Sequence, residues 1–124
     1  MITLNRAHMS QRRAFHYDID VTVKSGSGLG KAMAPTWAMV MGHKQGKITD
    51  AEYTAQYIPI MRRALMDGKW LNELLGLNVK NVCFLCYCRD GKFCHSHLLI
   101  DHLLAEYPDL FLDGRTKTVQ LRLL

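Results

Sequence analysis

The sequence lacks several features that would place it in specialised classes of protein. None of its apolar runs approaches the roughly 18 residues that a membrane-spanning helix needs, and the N-terminal segment has no apolar core of the kind found in secretory signals. The 124 residues contain no repeat, low-complexity tract or linker, and 48% are hydrophobic and 22% charged. Such a composition is typical of a folded domain rather than a disordered chain. We therefore expect a soluble, cytoplasmic protein with no membrane partner.

Cysteine is absent except from one short segment, which holds Cys83, Cys86, Cys88 and Cys94. Disulfides between residues this close would constrain only very short loops, which argues against a disulfide framework. Without a secretory signal, the thiols are expected to be reduced. They are then available as metal ligands, as a nucleophile or as buried side chains.

Acidic residues are few in the first part of the chain. The formal net charge is +5, and residues 1–49 account for all of it, because seven Lys and Arg there face only two Asp. This excess favours an anionic partner, either nucleic acid or a phosphorylated small molecule. The alternative is that the charge only keeps the protein soluble. We interpret residues 1–13 as a basic N-terminal arm and residues 14–124 as a single domain.

Hydrophobic patterning predicts an α/β fold, a small and mostly parallel sheet of about three or more strands flanked by about four helices. Residues 14–23 alternate between apolar and polar, which indicates a half-buried strand. Thr49 and Glu52 form the pattern of a capping box, and Pro59 is expected to kink the helix that follows. The elements predicted are strands over 14–23, 79–88 and 119–123, and helices over about 35–46, 50–67, 70–75 and 96–106.

Two loops of unusual composition follow the first two predicted strands. About fifty residues of helical pattern separate these strands, so we expect a parallel, right-handed crossover between them. Parallel pairing places both loops at the same edge of the sheet, where open α/β sheets bind ligands. The glycine-rich loop 24–31 and the Cys/His loop 88–97 are therefore predicted to line one crevice.

The Cys/His segment first suggests zinc, whose usual ligands are thiolates and imidazoles. In a regular strand, however, Cys86 and Cys88 lie about 6.6 Å apart on one face, whereas two sulfurs on a tetrahedral zinc lie about 3.8 Å apart. Joint chelation would require the strand to break at Tyr87. The spacing therefore does not favour a metal, and no cofactor is predicted. If zinc is bound, the ligands are Cys86, Cys88, Cys94 and His95.

An activated thiol is the second interpretation of this segment. Cys94 is predicted at the N-terminus of the last helix, where backbone amides and the helix dipole favour a thiolate. His95 is close enough to act as acid and base, so a covalent mechanism with Cys94 as nucleophile is chemically feasible. Cys83 is instead expected to be an ordinary buried thiol.

The glycine-rich loop resembles phosphate-binding loops but matches neither familiar pattern. A Walker loop needs glycine at Ser25 and a hydroxyl at Ala32, and the dinucleotide fingerprint needs glycine at Lys31. Backbone amides, lysines and a following helix N-terminus remain, which would suit a phosphate. The alternative is a flexible surface loop.

Three stretches of the sequence resemble the bacterial and phage family DUF488, a domain of unknown function. They are DIDVTVKSGSG (18–28), APTWAMVMGHKQGKITDAEYTAQYIPIMR (34–62) and FLCYCRDGKFCHSHLLIDHL (84–103), about half of the chain. The resemblance implies a small α/β protein and names no reaction. Family members usually carry Arg directly after Cys-His, where this sequence has Ser96, so an anion-binding role there would be weakened or would pass to His97, Arg89 or Lys92. The common surface that the resemblance implies comprises Lys24, Ser25, Gly26, Pro35, Thr36, Trp37, Cys86, Cys88, Cys94 and His95.

These observations lead to a hypothesis and two alternatives. The hypothesis is a crevice that binds a phosphate-bearing ligand, a nucleotide or nucleic-acid end. In the catalytic form of this hypothesis the protein is a hydrolase or transferase, with Cys94 as nucleophile and His95 as acid and base. The alternatives are a non-catalytic nucleic-acid-binding module, with Trp37 or Tyr87 as a stacking face, and a zinc-stabilised interaction domain. Whether the protein is an enzyme stays open. The predicted ligand-binding residues are Lys24, Ser25, Gly26, Ser27, Thr36, Trp37, Cys88 and His97.

Overall fold

The structure, a computed structural model, describes residues 1–11, 17–88 and 92–115. In these ranges a four-stranded sheet packs with five helices, which confirms the predicted α/β class. None of these helices is both long and apolar enough to span a membrane. The strands are β1 (Ile2–His8), β2 (Tyr17–Asp20), β3 (Asn81–Cys86) and β4 (Phe111–Asp113). The helices are α1 (Leu29–Ala32), α2 (Trp37–Lys44), α3 (Asp50–Leu65), α4 (Lys69–Gly76) and α5 (His95–Glu106).

All neighbouring strands of the sheet run parallel, in the order β2-β3-β1-β4. Ile19 of β2 pairs with Phe84 of β3, which in turn pairs with Arg6 of β1. The carboxyl ends of these strands therefore meet at one edge of the sheet, as the sequence predicted.

The segment interpreted as a basic arm is in fact the middle of the sheet. Residues 2–8 form β1, which pairs with β3 on one side and β4 on the other. Ile2, Leu4 and Ala7 are buried in it, and so are Asn5 and Arg6. The prediction of an arm over 1–13 was wrong because two adjacent polar residues in a short strand hide its apolar positions.

Strand β3 is shorter than its apolar pattern predicted. It ends at Cys86 rather than Cys88, and five of its six residues are buried. Strand β4 was not predicted, and the strand predicted over 119–123 lies outside the described residues. So does the beginning of the strand predicted over 14–23, of which Tyr17–Asp20 is described as β2.

The four longer helices lie where the sequence predicted them, whereas the short helix α1 begins within the predicted glycine-rich loop 24–31 and was not predicted. Thr36 caps α2 by accepting a hydrogen bond from the Met39 amide, and Thr49 and Glu52 form the predicted capping box of α3. Helix α3 is assigned without interruption through Pro59. Each cap satisfies amides that have no partner within the helix.

The two faces of the sheet carry cores of different size. The larger core joins one face to the helices through residues such as Leu4, Val82 and Phe84. The smaller cluster on the other face contains Ala7, Cys83 and Leu85. Because side chains alternate along a strand, Arg6 and Cys86 share the face of the larger core, and Cys83 points away from them.

Candidate functional site

A crevice of about 700 Å³ opens at the carboxyl edge of the sheet. It lies between the segment after β2, the segment after β3 and helix α2. Of the two loops predicted to line one crevice, 88–97 contributes several described residues and 24–31 contributes Lys24. Three exposed lysines border it, and none of its described lining residues is acidic. The lining residues are Thr22, Val23, Lys24, Pro35, Trp37, Val40, Met41, His43, Lys44, Tyr53, Tyr87, Cys88, Lys92, Phe93, Cys94 and His95.

The glycine-rich loop contributes less to the crevice than the sequence predicted. Its backbone amides bond within the loop, since the Gly26 amide donates to the Thr22 carbonyl at 3.0 Å and the Gly30 amide to the Ser27 carbonyl at 3.0 Å. The Ser25 hydroxyl bonds to the Asp20 carboxylate. A Cβ at Gly26 or Gly30 would collide with the backbone after β2, which explains both glycines. Only Lys24 of this loop lines the crevice.

An aromatic group forms one wall of the crevice. The rings of His43 and Phe93 lie 5.0 Å apart between centroids, and Tyr53 meets both edge-on. His43 also pairs with Asp50 at 2.6 Å. Trp37 and Tyr87, each about half exposed, present further rings to solvent at the crevice. Thr36 next to Trp37 serves as the helix cap and does not line the crevice.

Three of the four cysteines converge at the floor of the crevice. The sulfurs of Cys86, Cys88 and Cys94 all lie within 4.8 Å of one another. The wide separation expected for Cys86 and Cys88 does not occur, because β3 ends at Cys86 and the chain turns at Tyr87. The cluster has the composition and dimensions of a metal site. It does not include Cys83, which is buried on the other face.

Sequence reasoning missed Arg6, as it missed Lys44 and the aromatic group of His43, Tyr53 and Phe93. The Arg6 guanidinium donates to the Cys86 sulfur at 2.8 Å, to the Cys88 carbonyl at 2.8 Å and to the Ser96 hydroxyl at 3.2 Å. Ser96 in turn donates to the Cys94 sulfur at 3.3 Å. Arg6, rather than His97, is the basic side chain in contact with Ser96. The sequence offered no clear signal for this role, because Arg6 stands beside Asn5 in a strand that also contains Thr3 and His8.

Hydrogen bonding places the thiolate of the cluster on Cys86. The pKa of Cys86 is far below its usual value, chiefly because Cys88 and Cys94 donate hydrogen bonds to its sulfur, and Arg6 donates another. The pKa values of Cys88 and Cys94 are raised, chiefly because their thiol protons are held in bonds to Cys86. The expectation of a low pKa at Cys94 was therefore wrong, since Cys86 outweighs the helix terminus.

His95 has a fixed tautomer. Its Nε2 lies 2.8 Å from the Val21 carbonyl, which can only accept, so Nε2 carries a proton. Burial lowers the pKa of His95, which favours the neutral ring with a lone pair on Nδ1. That Nδ1 lies 3.8 Å from the Cys94 sulfur. The predicted pair of Cys94 and His95 is thus in contact, although Cys94 is only 2% exposed.

The remaining predicted site residues are distributed unevenly. Lys92 lines the crevice, whereas Arg89 lies outside the described residues. His97 does not line the crevice. Its Nδ1 instead accepts a hydrogen bond from the Arg115 guanidinium at 2.8 Å. Ser27 is exposed but is not among the lining residues.

The fold and site together define an α/β protein with a basic, aromatic crevice over a three-cysteine cluster. The family model of the active DUF488-N3 subclade, DUF488-N3a, matches residues 24–107. The chain therefore belongs to the DUF488 family, as its sequence motifs indicated. The match includes all four cysteines and excludes β1 with Arg6. No curated protein and no solved structure shows significant similarity to the chain.

Proposed function

We propose that the crevice binds a phosphate-bearing ligand with an aromatic base, a nucleotide or the end of a nucleic acid. The proposal rests on the combination of two kinds of side chain in one crevice. Its lysines are Lys24, Lys44 and Lys92, and its exposed rings are those of Trp37 and Tyr87. Lysine ammonium groups bind phosphate oxygens, and aromatic rings stack on bases.

The absence of acidic side chains from the described lining supports the same proposal. A phosphate entering the crevice meets ammonium groups, and none of the described lining residues brings a carboxylate that would repel it. His43 is held by Asp50, whose carboxylate is not among the lining groups. A volume of about 700 Å³ lies within the usual range of small-molecule sites.

Tryptophan fluorescence provides the test. Trp70 is buried and donates to the Leu29 carbonyl at 2.9 Å, whereas Trp37 is 52% exposed at the crevice. Titration with ribonucleoside mono- and triphosphates should quench the emission saturably, and Trp37→Phe should remove the response. The same nucleosides without phosphate should bind much more weakly.

Charge-removing variants locate the phosphate. Lys24→Gln and Lys92→Gln should each weaken binding by about 10-fold or more, because a hydrogen bond to a charged group contributes about 1.5 kcal/mol or more. Lys69→Gln, at an exposed position of α4 away from the crevice, is the matched control and should bind normally. Absence of saturable quenching at millimolar nucleotide, with the protein folded, would refute the proposal.

Covalent chemistry by Cys94 is a second candidate, favoured by the 3.8 Å contact with His95 Nδ1. The Cys94 sulfur would attack phosphorus while its proton passes to Nδ1 and then to the oxygen that leaves. Water would then attack the phosphorus and give a proton to Nδ1, which would return it to the Cys94 sulfur as the S–P bond breaks. If the protein turns over a bound nucleotide in this way, Cys94→Ser should abolish turnover and Cys83→Ala should not. Turnover unaffected by Cys94→Ser would exclude this candidate and leave the binding function in place.

A further inference from the structure

The three-cysteine cluster has a geometry that ordinary packing of thiols does not require. Cys86 and Cys94 are almost completely buried, and Cys88 is half-buried beside them. All three sulfurs lie within 4.8 Å of one another, close to the separation of about 3.8 Å between sulfurs on one tetrahedral zinc ion. A small inward movement of the sulfurs would complete a binding site.

Each of the three sulfurs is brought to the cluster by a different part of the chain. Cys86 is the last residue of β3, and Cys88 follows after a turn in which the Tyr87 side chain points to solvent. Cys94 is the N-cap of α5 and has an extended backbone, but its sulfur makes no capping hydrogen bond. The Cys94 sulfur is therefore directed to the cluster rather than to its own helix.

We propose that Cys86, Cys88 and Cys94 bind one zinc ion as thiolates, with the fourth coordination position open to the crevice. Arg6 donates to the Cys86 sulfur at 2.8 Å, and its positive charge reduces the negative charge that three thiolates leave around the ion. Hydrogen bonds of this kind orient and tune metal ligands.

The position of the cluster defines the open side. Cys88 and Cys94 line the crevice, whereas Cys86 does not. His95 Nδ1 is near the Cys94 sulfur but does not belong to the group of mutually close ligand atoms. The crevice side is therefore left for water or an oxygen of the ligand. The choice of zinc over copper(I) rests on the proposed function, because zinc accepts phosphate oxygen and copper(I) prefers soft ligands.

Metal content of the purified full-length protein tests the proposal. Protein kept reduced and anaerobic should contain about one equivalent of zinc, or take it up on refolding with zinc sulfate. Cys88→Ala and Cys94→Ala should lose the metal, and Cys83→Ala, a change of the buried cysteine outside the cluster, should keep it. Arg6→Gln should weaken zinc binding by about 10- to 100-fold.

Cobalt(II) substitution tests the open position in folded wild-type protein and does not depend on any variant. Three thiolate ligands should give thiolate-to-cobalt absorption and the intense visible bands of a tetrahedral ion. Inorganic phosphate should shift the visible bands by replacing water, and Cys83→Ala should behave as the wild type does.

Several outcomes would overturn the inference. These are no zinc uptake by folded, reduced protein, copper in place of zinc, or equal loss of zinc from Cys83→Ala and Cys88→Ala. If phosphate does not shift the visible bands while nucleotides still quench the Trp37 emission, the open coordination position is refuted and the proposed function is not. Normal zinc binding with no nucleotide binding would instead refute the proposed function and, with it, the argument for a ligand oxygen on the ion.

Discussion

Arg6 is the buried cation of the site. A guanidinium that is 7% exposed in the middle of a sheet carries a large desolvation cost unless hydrogen bonds and negative charge compensate for it. The Cys86 thiolate, the Cys88 carbonyl and the Ser96 hydroxyl supply part of that compensation. Arg6 thus links a central strand to both the loop and the helix that carry the cysteines.

The titration of His97 predicts how the stability of the protein depends on pH. Burial, followed by the neighbouring Arg115 guanidinium, lowers the pKa of His97 below 6.5. As the pH falls from 6.5, the unfolded state takes up a proton that the folded state resists. The contribution of His97 to stability is therefore present above pH 6.5 and is lost as the pH falls through the lowered pKa. Nuclear magnetic resonance titration of the imidazoles should show this low pKa directly.

The Arg115→Gln and Arg115→Lys variants separate the effect of burial on the pKa of His97 from the effect of the Arg115 charge. Arg115→Gln should raise the pKa of His97 only partway to 6.5, because burial is the larger cause and persists. Arg115→Lys keeps the charge and should leave the pKa of His97 low. A wild-type His97 pKa at or above 6.5 would contradict the contact of 2.8 Å between Arg115 and Nδ1.

Among the elements, those with local signals could be predicted and those without could not. Thr49 and Glu52 begin α3 by hydrogen bonds between neighbours in the sequence, so the pattern alone identified the cap. Strand β1 has no such signal, since its buried Arg6 bonds to residues distant in the chain. A Cβ at Gly114 would collide with the Asn5 side chain, which shows how closely β1 packs against the end of β4.

Removal of β1 is expected to unfold the domain. The strand pairs with β3 and β4, so deletion of residues 1–8 separates β4 from the sheet and opens the larger core. The truncated protein should show no cooperative thermal transition by circular dichroism. Leu4→Ala, at a fully buried position, should cost about 2–5 kcal/mol of unfolding free energy.

The control for β1 is Gln11→Ala, at an exposed position after the strand, which should change stability little. A truncated protein that keeps a cooperative transition at the wild-type temperature would show that residues 1–8 are dispensable. That result would support the interpretation of residues 1–13 as an arm and would contradict the parallel pairing of β1.

For the whole molecule, topology was the part of the site that could be predicted. Parallel strands place their carboxyl ends at one edge whatever the details of the loops, so the crevice between residues 24–31 and 88–97 followed from strand order. The arrangement inside the crevice depends on side-chain geometry that spacing does not define. The end of β3 at Cys86, and not the Cys-x-Cys spacing, decides that Cys88 reaches Cys94.

The distribution of basic residues over the molecule gives a prediction about salt. Only Lys24, Lys44 and Lys92 of the described lysines line the crevice. Each phosphate of a single strand that a basic side chain neutralises contributes about −0.7 to the slope of log K against log salt concentration. Binding of a short single-stranded oligonucleotide by its end should therefore give a slope no steeper than about −2, measured by fluorescence anisotropy at constant pH.

Variants decide whether the crevice accounts for that slope. Lys44→Gln should make it shallower by about 0.7, whereas the double variant Lys31→Gln with Lys47→Gln, at exposed positions outside the crevice, should leave it unchanged. A wild-type slope of about −5 that becomes shallower in the double variant would mean that the ligand contacts a wider basic surface. In that case the protein would be a nucleic-acid-binding module that contacts the phosphate backbone along its length, and the crevice would not be its principal site.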